Sequence, residues 1–406
     1  MNRKKILNDP VYGFVNIPYG ILFDLVEHPY FQRLRRIKQV SLTHYVYPGA
    51  LHTRFHHALG ALHLMSQAIE VLRSKGTEIS EEEATAVSIA ILLHDIGHGP
   101  FSHTLEHTLI NVHHEELSIL FMERLNQIFN GQLDLAITVF KDEYPKKFLH
   151  QLVSGQLDMD RLDYLNRDSF FTGVHEGVIG YDRIIKMLDV HDGELVVEEK
   201  GIYSIEKFLI ARRLMYWQVY LHKTVLSAEL MMVQALKRAK LLAQNGVVLE
   251  MPSNLRFFLD DNLTREDFKT QPETLLDHFS ALDDHDIVSG LKAWQSAPDP
   301  ILSYFSKCLI QRRLFKLEFH NEPIPKSHVD GIREKLMGYP FFTEEWLPYL
   351  LISGKETNSA YNTFNDEIKI LFKDGQVLPM SMVVDHGVQP RIFTKHYLCY
   401  PKGGSV

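Results

Sequence analysis

The sequence predicts a mainly α protein, with an all-helical core over residues 1–245 and a smaller C-terminal α+β region over 246–406. Two observations carry that prediction. Apolar residues recur at spacings of three and four through most of the first part, the period of a helix with one buried face. In the tail, IKILFKDGQVLPMSMV and PRIFTKHYLCYP place β-branched and aromatic runs around a DG turn, which is strand chemistry.

The elements follow in order. From Phe55 to Arg73, Leu59, Leu62, Met65, Ile69 and Leu72 define one helix face, and Gly76 follows as a C-cap. Ser80-Glu81-Glu82-Glu83 has the form of a capping box, with Ser80 at the N-cap and Glu83 three residues on. The helix it opens runs through AVSIAILLHD and is apolar on nearly every side, so it belongs at the centre of the core. Glu115–Phe129 and Gln156–Asp168 are amphipathic, and Ile205–Gln244 reads as one or two long helices. Beyond residue 245, PSNLRF, LTREDF and SAPDPI supply helix starts and breaks without a low-complexity linker. The sequence carries no internal repeat and no Gly-rich phosphate loop of the Walker or Rossmann type.

Composition narrows the function classes. An apolar fraction of 45% and a charged fraction of 23% are those of an ordinary globular protein with ample core. A net charge of −8 argues against nucleic-acid coating, which needs a lysine and arginine surplus to neutralise phosphates. Cys308 and Cys399 are the only cysteines, which excludes a disulfide framework and a cysteine-ligated metal. MNRKKILNDPVYG has basic residues with no apolar stretch behind them, unlike a signal peptide. No run approaches the roughly 18 apolar residues of a membrane span. These features predict a cytoplasmic protein with no membrane contact.

Histidine is the unusual residue. Eleven of the 22 lie between His44 and His114. In LLHDIGHGPFSH (92–103) the buried helix reaches His94 and Asp95, then Gly97, Gly99 and Pro100 end it. Adjacent helical residues point about 100° apart, but at a helix end both side chains can reach one ion in the widening groove. Partners would come from His57 in HTRFHH and from Asp158, Asp160 and Asp163 in QLDMDRLDYLNRD. A hydrogen-bonded core histidine would account for His94 alone. It would not account for His57, His98, His103 and an aspartate-rich helix together.

His57, His94-Asp95 and Asp160 resemble the H…HD…D signature of the HD-domain phosphohydrolases. The surrounding text resembles the deoxynucleoside triphosphate triphosphohydrolase (dGTPase-like) branch, which includes a dGTP-activated human enzyme with a sterile-alpha-motif domain. FQRLRRIKQ (31–39), YPGALHTRFHHALG (47–60), HDIGHGPFSH (94–103), HHEELS (113–118), DMDRLDYLNRD (158–168) and YLHK (220–223) carry that likeness. It covers about the first half of the chain.

The resemblance implies an HD-domain catalytic core with an N-terminal regulatory segment. It makes His57, His94, Asp95 and Asp160 the ligands of a divalent metal, a set that suits Mn, Mg, Fe, Zn or Ni. It implies a dNTPase that hydrolyses its substrate to deoxynucleoside and inorganic triphosphate, with His98, Glu106, His114 and His103 as the catalytic groups. Glu106 stands where the family has aspartate. For His103 and His107 a plain polar role is an equal alternative. The implied substrate contacts are Gln39, Arg54, Arg161, Tyr164, Asp168, Arg212, Tyr216, Tyr220 and Lys223. Arg161 replaces a family lysine and Tyr216 a histidine. On spacing, Arg212, Tyr216, Tyr220 and Lys223 share one helix face, as do Asp160, Tyr164 and Asp168. Tyr216 and Tyr220 also fit as core aromatics, and Asp163 with Arg167 reads as an exposed ion pair. An allosteric dGTP between subunits would meet Lys5, Ile6, Glu27, Gln32 and Arg35, which requires a homo-oligomer, dimer or tetramer. QRLRR reads equally as a solvated face. The alternatives are an HD-family nucleotidase or phosphodiesterase on another nucleotide, and a non-catalytic nucleotide sensor or nucleic-acid binder.

Overall fold

The computed structural model describes residues 4–106, 108–358, 367–383 and 393–403, so His107 lies outside the described residues. Helices dominate, as the apolar periodicity requires. The first long helix, Arg54–Ser74, ends where Gly76 takes a left-handed φ of 93° and Thr77 N–H donates to Leu72 O at 3.1 Å. The capping box at Ser80 forms as its sequence dictates: Glu83 N–H donates to Ser80 Oγ at 3.1 Å and Ser80 N–H to the Glu83 carboxylate at 2.8 Å. The helix it opens, Glu81–Leu93, is fully buried from Val87 onward apart from a sliver of Ser88, and forms the centre of the core.

Met159–Thr172 packs against Arg54–Ser74, with Asp158 as its N-cap accepting from Arg161 N–H at 2.7 Å. Ile202–Met215 passes into a π-helical turn at Tyr216–Tyr220, and a separate helix, Lys223–Gln244, begins after His222 caps it. This π turn is what the single long apolar pattern conceals, since its residues advance by more than an α-helical turn.

Three small sheets decorate the helices. Lys4–Asp9 and Gly13–Pro18 form an antiparallel hairpin. The tail supplies Lys316–His320, Phe393–Tyr400 and Ile352–Asn358 in that spatial order. A third sheet joins the hairpin Leu188–His191/Glu194–Glu198 to Lys369–Leu371 and Val377–Pro379, with Val197 opposite Ile370 in parallel. The tail also reaches the histidine-rich loop: Asp284 accepts from Lys38 N–H at 3.0 Å and from Phe101 N–H at 2.8 Å. Buried apolar residues form one cluster running from Val15 to Cys399.

Candidate active site

The end of the Glu81–Leu93 helix sets His94 beside the Arg54–Ser74 helix, which contributes His57. His57 Nδ1 donates to Asp163 at 2.7 Å and His94 Nδ1 donates to Ile91 O at 2.6 Å. Both rings therefore turn their Nε2 atoms inward, and these meet at 3.2 Å. Asp160, from the facing helix, brings Oδ1 to 3.0 Å from His57 Nε2 and 3.5 Å from His94 Nε2. Asp95 completes the cage at 3.6 Å from His57 Nε2 and 3.4 Å from His94 Nε2, while Arg54 holds one of its oxygens.

Two facing nitrogen lone pairs and two carboxylates define a place for positive charge. Burial opposes protonation of His57, but its hydrogen bonds to the Asp160 and Asp163 carboxylates outweigh it and push the imidazole up to about 10. Imidazole nitrogens and carboxylate oxygens converging from three elements fit a divalent metal with open positions for further ligands.

The brace behind the cage was misread in the sequence. Asp163 and Arg167 are fully buried, not an exposed pair. Arg167 donates to both Asp163 oxygens, at 2.9 and 3.0 Å, and to Asp9 at 2.8 Å. Asp163 fixes the His57 ring, as outer partners of metal-ligating histidines do. Gly60 makes room for it, since a Cβ there would lie 2.0 Å from Asp163 Oδ1. The i, i+4 spacing of the pair was visible. The burial that makes it structural was not. Arg33, in QRLRR, is likewise buried and donates to His98 O at 2.6 Å, Ile96 O at 3.3 Å and Leu282 O at 3.1 Å.

The second group, His98, His103, Glu106 and His114, does gather. Gly97 permits it by close approach rather than by a special φ, because a Cβ would meet His114 O at 2.2 Å and Ser118 N at 2.4 Å. His98 stacks on His114 with ring centroids 4.0 Å apart, and its Nε2 lies 3.3 Å from Asp95. Glu106 accepts from His114 N–H at 2.7 Å, His114 Nδ1 at 2.8 Å and His103 Nδ1 at 3.1 Å. Burial raises the Glu106 carboxyl, but those donors overcome it and hold it well below its ordinary range. The turn that carries the group is strained: Phe101 and Ser102 adopt left-handed φ values of 52° and 54°.

A cavity of about 550 Å³ opens beside the cage. Gln39, Arg54, Asp95, His98, His103, Asp160, Tyr164, Asp168, Tyr216 and Tyr220 line it, a set the sequence had placed together. Asp168 is held on both oxygens, by His52 Nε2 and the Tyr220 hydroxyl, each at 2.7 Å. His52 carried no sequence signal beyond its place in the histidine cluster. Arg161 and Arg212 do not line the cavity but act on Tyr164 from behind. Burial pushes Tyr164 up to about 12, with the two guanidinium charges opposing. Arg161 is tethered to Asp158, and Arg212 donates to Gln156 at 3.3 Å. Arg161 Nε, Arg212 Nε and Gln39 Oε1 are buried and have no hydrogen-bond partner among the described residues.

Lys223 corrects the expectation of a shared face. The chain breaks after Tyr220, so Lys223 is the first, exposed residue of the next helix and is absent from the wall. Lys5, Ile6, Glu27 and Arg35 are exposed and Gln32 half-buried; none belongs to the cavity. Glu229 and Glu356, which had no sequence signal, do line it.

A two-histidine, two-aspartate cage at the end of a buried helix, opening on a cavity of mixed polar and apolar lining, fits the class of metal-dependent hydrolases. Comparison with known proteins agrees. Residues 54–150 match the HD domain and residues 179–254 the HD-associated region. The chain is 30% identical to the uncharacterised protein YwfO of Bacillus subtilis over 99% of its own length and 93% of that protein. It is 31% identical to the deoxynucleoside triphosphate triphosphohydrolase SAMHD1 homolog of Dictyostelium discoideum, over 66% of this chain and 56% of that one. The crystal structure of a phosphohydrolase from Bacteroides thetaiotaomicron superposes with a TM-score of 0.95 at 53% identity, covering 98% of this chain and 100% of that chain. The protein belongs to the HD-domain phosphohydrolases. The chain spans little more than half of the Dictyostelium enzyme. Among the described residues, no helix is long and apolar enough to cross a membrane.

Proposed function

We propose that this phosphohydrolase cleaves deoxynucleoside triphosphates to deoxynucleoside and inorganic triphosphate. One observation carries the reading: Asp95 and Asp160 of the His57/His94/Asp95/Asp160 cage line the same cavity as Tyr164, Asp168 and Gln39. Likeness to the Dictyostelium triphosphohydrolase supports the substrate class. His57, His94, Asp95 and Asp160 would hold a divalent metal, which when bound would supply Lewis acidity and an activated water.

The chain's own groups do the rest. Water adds to the α-phosphorus as the bond from that phosphorus to O5′ breaks, and the proton it releases replaces the one that His103 gives up. His103, held through Nδ1 by Glu106 and open to the cavity, protonates O5′. His98 and His114 stack beside it and fix its orientation. Arg54, which lines the cavity, supplies a cation and N–H groups for the triphosphate oxygens, with Arg161 and Arg212 adding positive charge from behind Tyr164. Lys223 adds a charge at the rim. Tyr164 stacks on the deoxyribose, where a 2′-hydroxyl has no room, Asp168 accepts from the 3′-hydroxyl, and Tyr216 and Tyr220 close the wall.

Regulation is part of the same reading. The exposed group Lys5, Ile6, Glu27, Gln32 and Arg35 takes a second guanine nucleotide between copies of a dimer or tetramer, in the cytoplasm. The test is product analysis. Metal-reconstituted protein is given each dNTP and rNTP, with and without dGTP. Deoxynucleoside plus triphosphate supports the reading. Monophosphate plus pyrophosphate, or turnover of rNTPs alone, replaces it with a nucleotidase or phosphodiesterase.

A further inference from the structure

The tail grips the basic run of FQRLRRIKQ through three successive residues. Arg33 Nε donates to Leu282 O at 3.1 Å, and Arg36 pairs with Asp283. Lys38 donates to Asp284 Oδ2 through its backbone N–H at 3.0 Å and its ammonium at 3.3 Å. Two of these contacts continue into the histidine-rich loop. Arg33 reaches the carbonyls of Ile96 and His98, and Asp284, only 1% exposed, accepts from Phe101 N–H through Oδ1 at 2.8 Å.

Phe101 stands where a holder is needed. Phe101 and Ser102 take left-handed φ values of 52° and 54° in succession, a conformation that neither side chain favours. Such a turn keeps its shape only where its surroundings fix it. Two contacts tie it to residue 38: Asp284 joins Phe101 N–H to Lys38 N–H, and Ser102 Oγ donates to Lys38 O at 3.1 Å. Ser102 Oγ also accepts from Arg54 Nε at 2.8 Å, and Arg54 holds Asp95 of the cage. His103, the next residue, lines the cavity. The direction in which His103 leaves the turn follows from the φ values of the two residues before it.

We infer that Asp284 is a positioning residue for the reaction: through the N–H groups of Phe101 and Lys38 it holds the left-handed turn that aims His103 into the cavity. Asp284 is itself absent from the cavity wall. The tail is then needed for turnover and not only for folding. The inference rests on the acid role given to His103 above.

Asp284→Asn keeps the shape and removes one acceptor. An amide has a single oxygen, so it can satisfy Phe101 N–H or Lys38 N–H and must turn an NH2 group toward the other. Asp286→Ala is the control. Asp286 accepts from Asp283 N–H at 2.8 Å at the start of the same helix, so its bond is to the helix cap rather than to the loop. Hydrogen exchange is followed without substrate in the wild type and both variants, by mass spectrometry with fragmentation that resolves the Phe101 amide. Bound metal and the denaturant midpoint are measured on the same samples, and kcat and KM are then determined for the dNTPs.

The Phe101 amide is expected to be protected in the wild type and to exchange at least about tenfold faster in Asp284→Asn. kcat should fall about ten- to a hundredfold, the scale of a misplaced catalytic group, at unchanged metal content. KM should move less than kcat, because Arg54 keeps its hold on Asp95. Asp286→Ala should lose stability while keeping kcat and the protection of Phe101. An unprotected Phe101 amide in the wild type overturns the proposal whatever the variants do. So does an unchanged kcat in Asp284→Asn, a loss of metal that accounts for its lost turnover, or an equal fall in kcat in Asp286→Ala. If the wild type releases no deoxynucleoside, the dNTP reading falls, and the exchange rates alone decide whether Asp284 holds the turn.

Discussion

The buried cluster of His57, His94 and Asp160 and the surface cluster of Glu318, His320 and His328 each join two histidines to one carboxylate, and in each the ligand atoms lie within 4.8 Å of one another. Their closest histidine–carboxylate distances are equal, 3.0 Å. What differs is everything behind the ligands. His57 is wholly buried and locked by Asp163, which is held by Arg167, itself anchored on Asp9. Glu318 spends its Oε1 on Lys316 and the Tyr400 hydroxyl, each at 2.6 Å, and His320 and His328 are 34% and 42% exposed. The two clusters thus share their ligand spacing and differ in the outer layer behind it. Such a layer orients metal ligands and tunes their affinity.

Breaking the buried cluster at its ligands should have the largest effect. His94→Ala or Asp95→Ala is expected to lose bound metal and to lower phosphohydrolase turnover on the order of a thousandfold or more, as loss of one member of a catalytic unit does. Metal content by mass spectrometry and circular dichroism would check it. Retained metal with lost activity would show that the cage is not the metal site.

Next in size is Arg33, which braces the loop rather than the ligands. Its removal leaves the carbonyls of Ile96, His98 and Leu282 buried with their donor gone. Arg33→Met should cost about 3 kcal/mol, the scale of unsatisfied buried polar groups. Denaturant titration measures it, and an unchanged midpoint would refute the brace.

Asp163→Asn keeps the shape but removes the charge that orients His57. Metal affinity should fall about ten- to a hundredfold, the usual effect of losing an outer partner. Competition with a chelating dye reads this directly. An unchanged affinity would make Asp163 a packing residue only.

These three effects separate what the sequence showed from what it hid. The four residues of the cage were named through their resemblance to the H…HD…D signature, and the structure brings them together. The helices were legible from their apolar period, down to the Ser80 capping box. The brace was not. Asp9 and Arg167 are 158 residues apart in the chain yet meet at 2.8 Å. Asp163 and Arg167 at i, i+4 look like any solvated pair until tertiary packing buries them. Arg33 sits in a basic run that reads as surface. The break after Tyr220, which removes Lys223 from the wall, depends on a π turn that no residue in YWQVY announces. Glu229 and Glu356 converge only because the tail folds back over the first half.

The surface cluster supplies the smallest prediction and the sharpest control. Burial raises Glu318, but Lys316, Tyr400 and His328 outweigh it and pull it down to about 2. A depressed carboxyl stabilises the fold above its unfolded pKa and loses that contribution as pH falls toward 2, so its effect is confined to acid. At neutral pH the double change His320→Ala/His328→Ala removes neither the Lys316 nor the Tyr400 contact. It should leave metal stoichiometry and turnover at wild-type values and shift stability by no more than about 0.5 kcal/mol, as exposed substitutions do. A fall of one equivalent of bound metal in that variant would mean that spacing without an outer layer suffices. The contrast between the two clusters would then have to be sought in exposure alone.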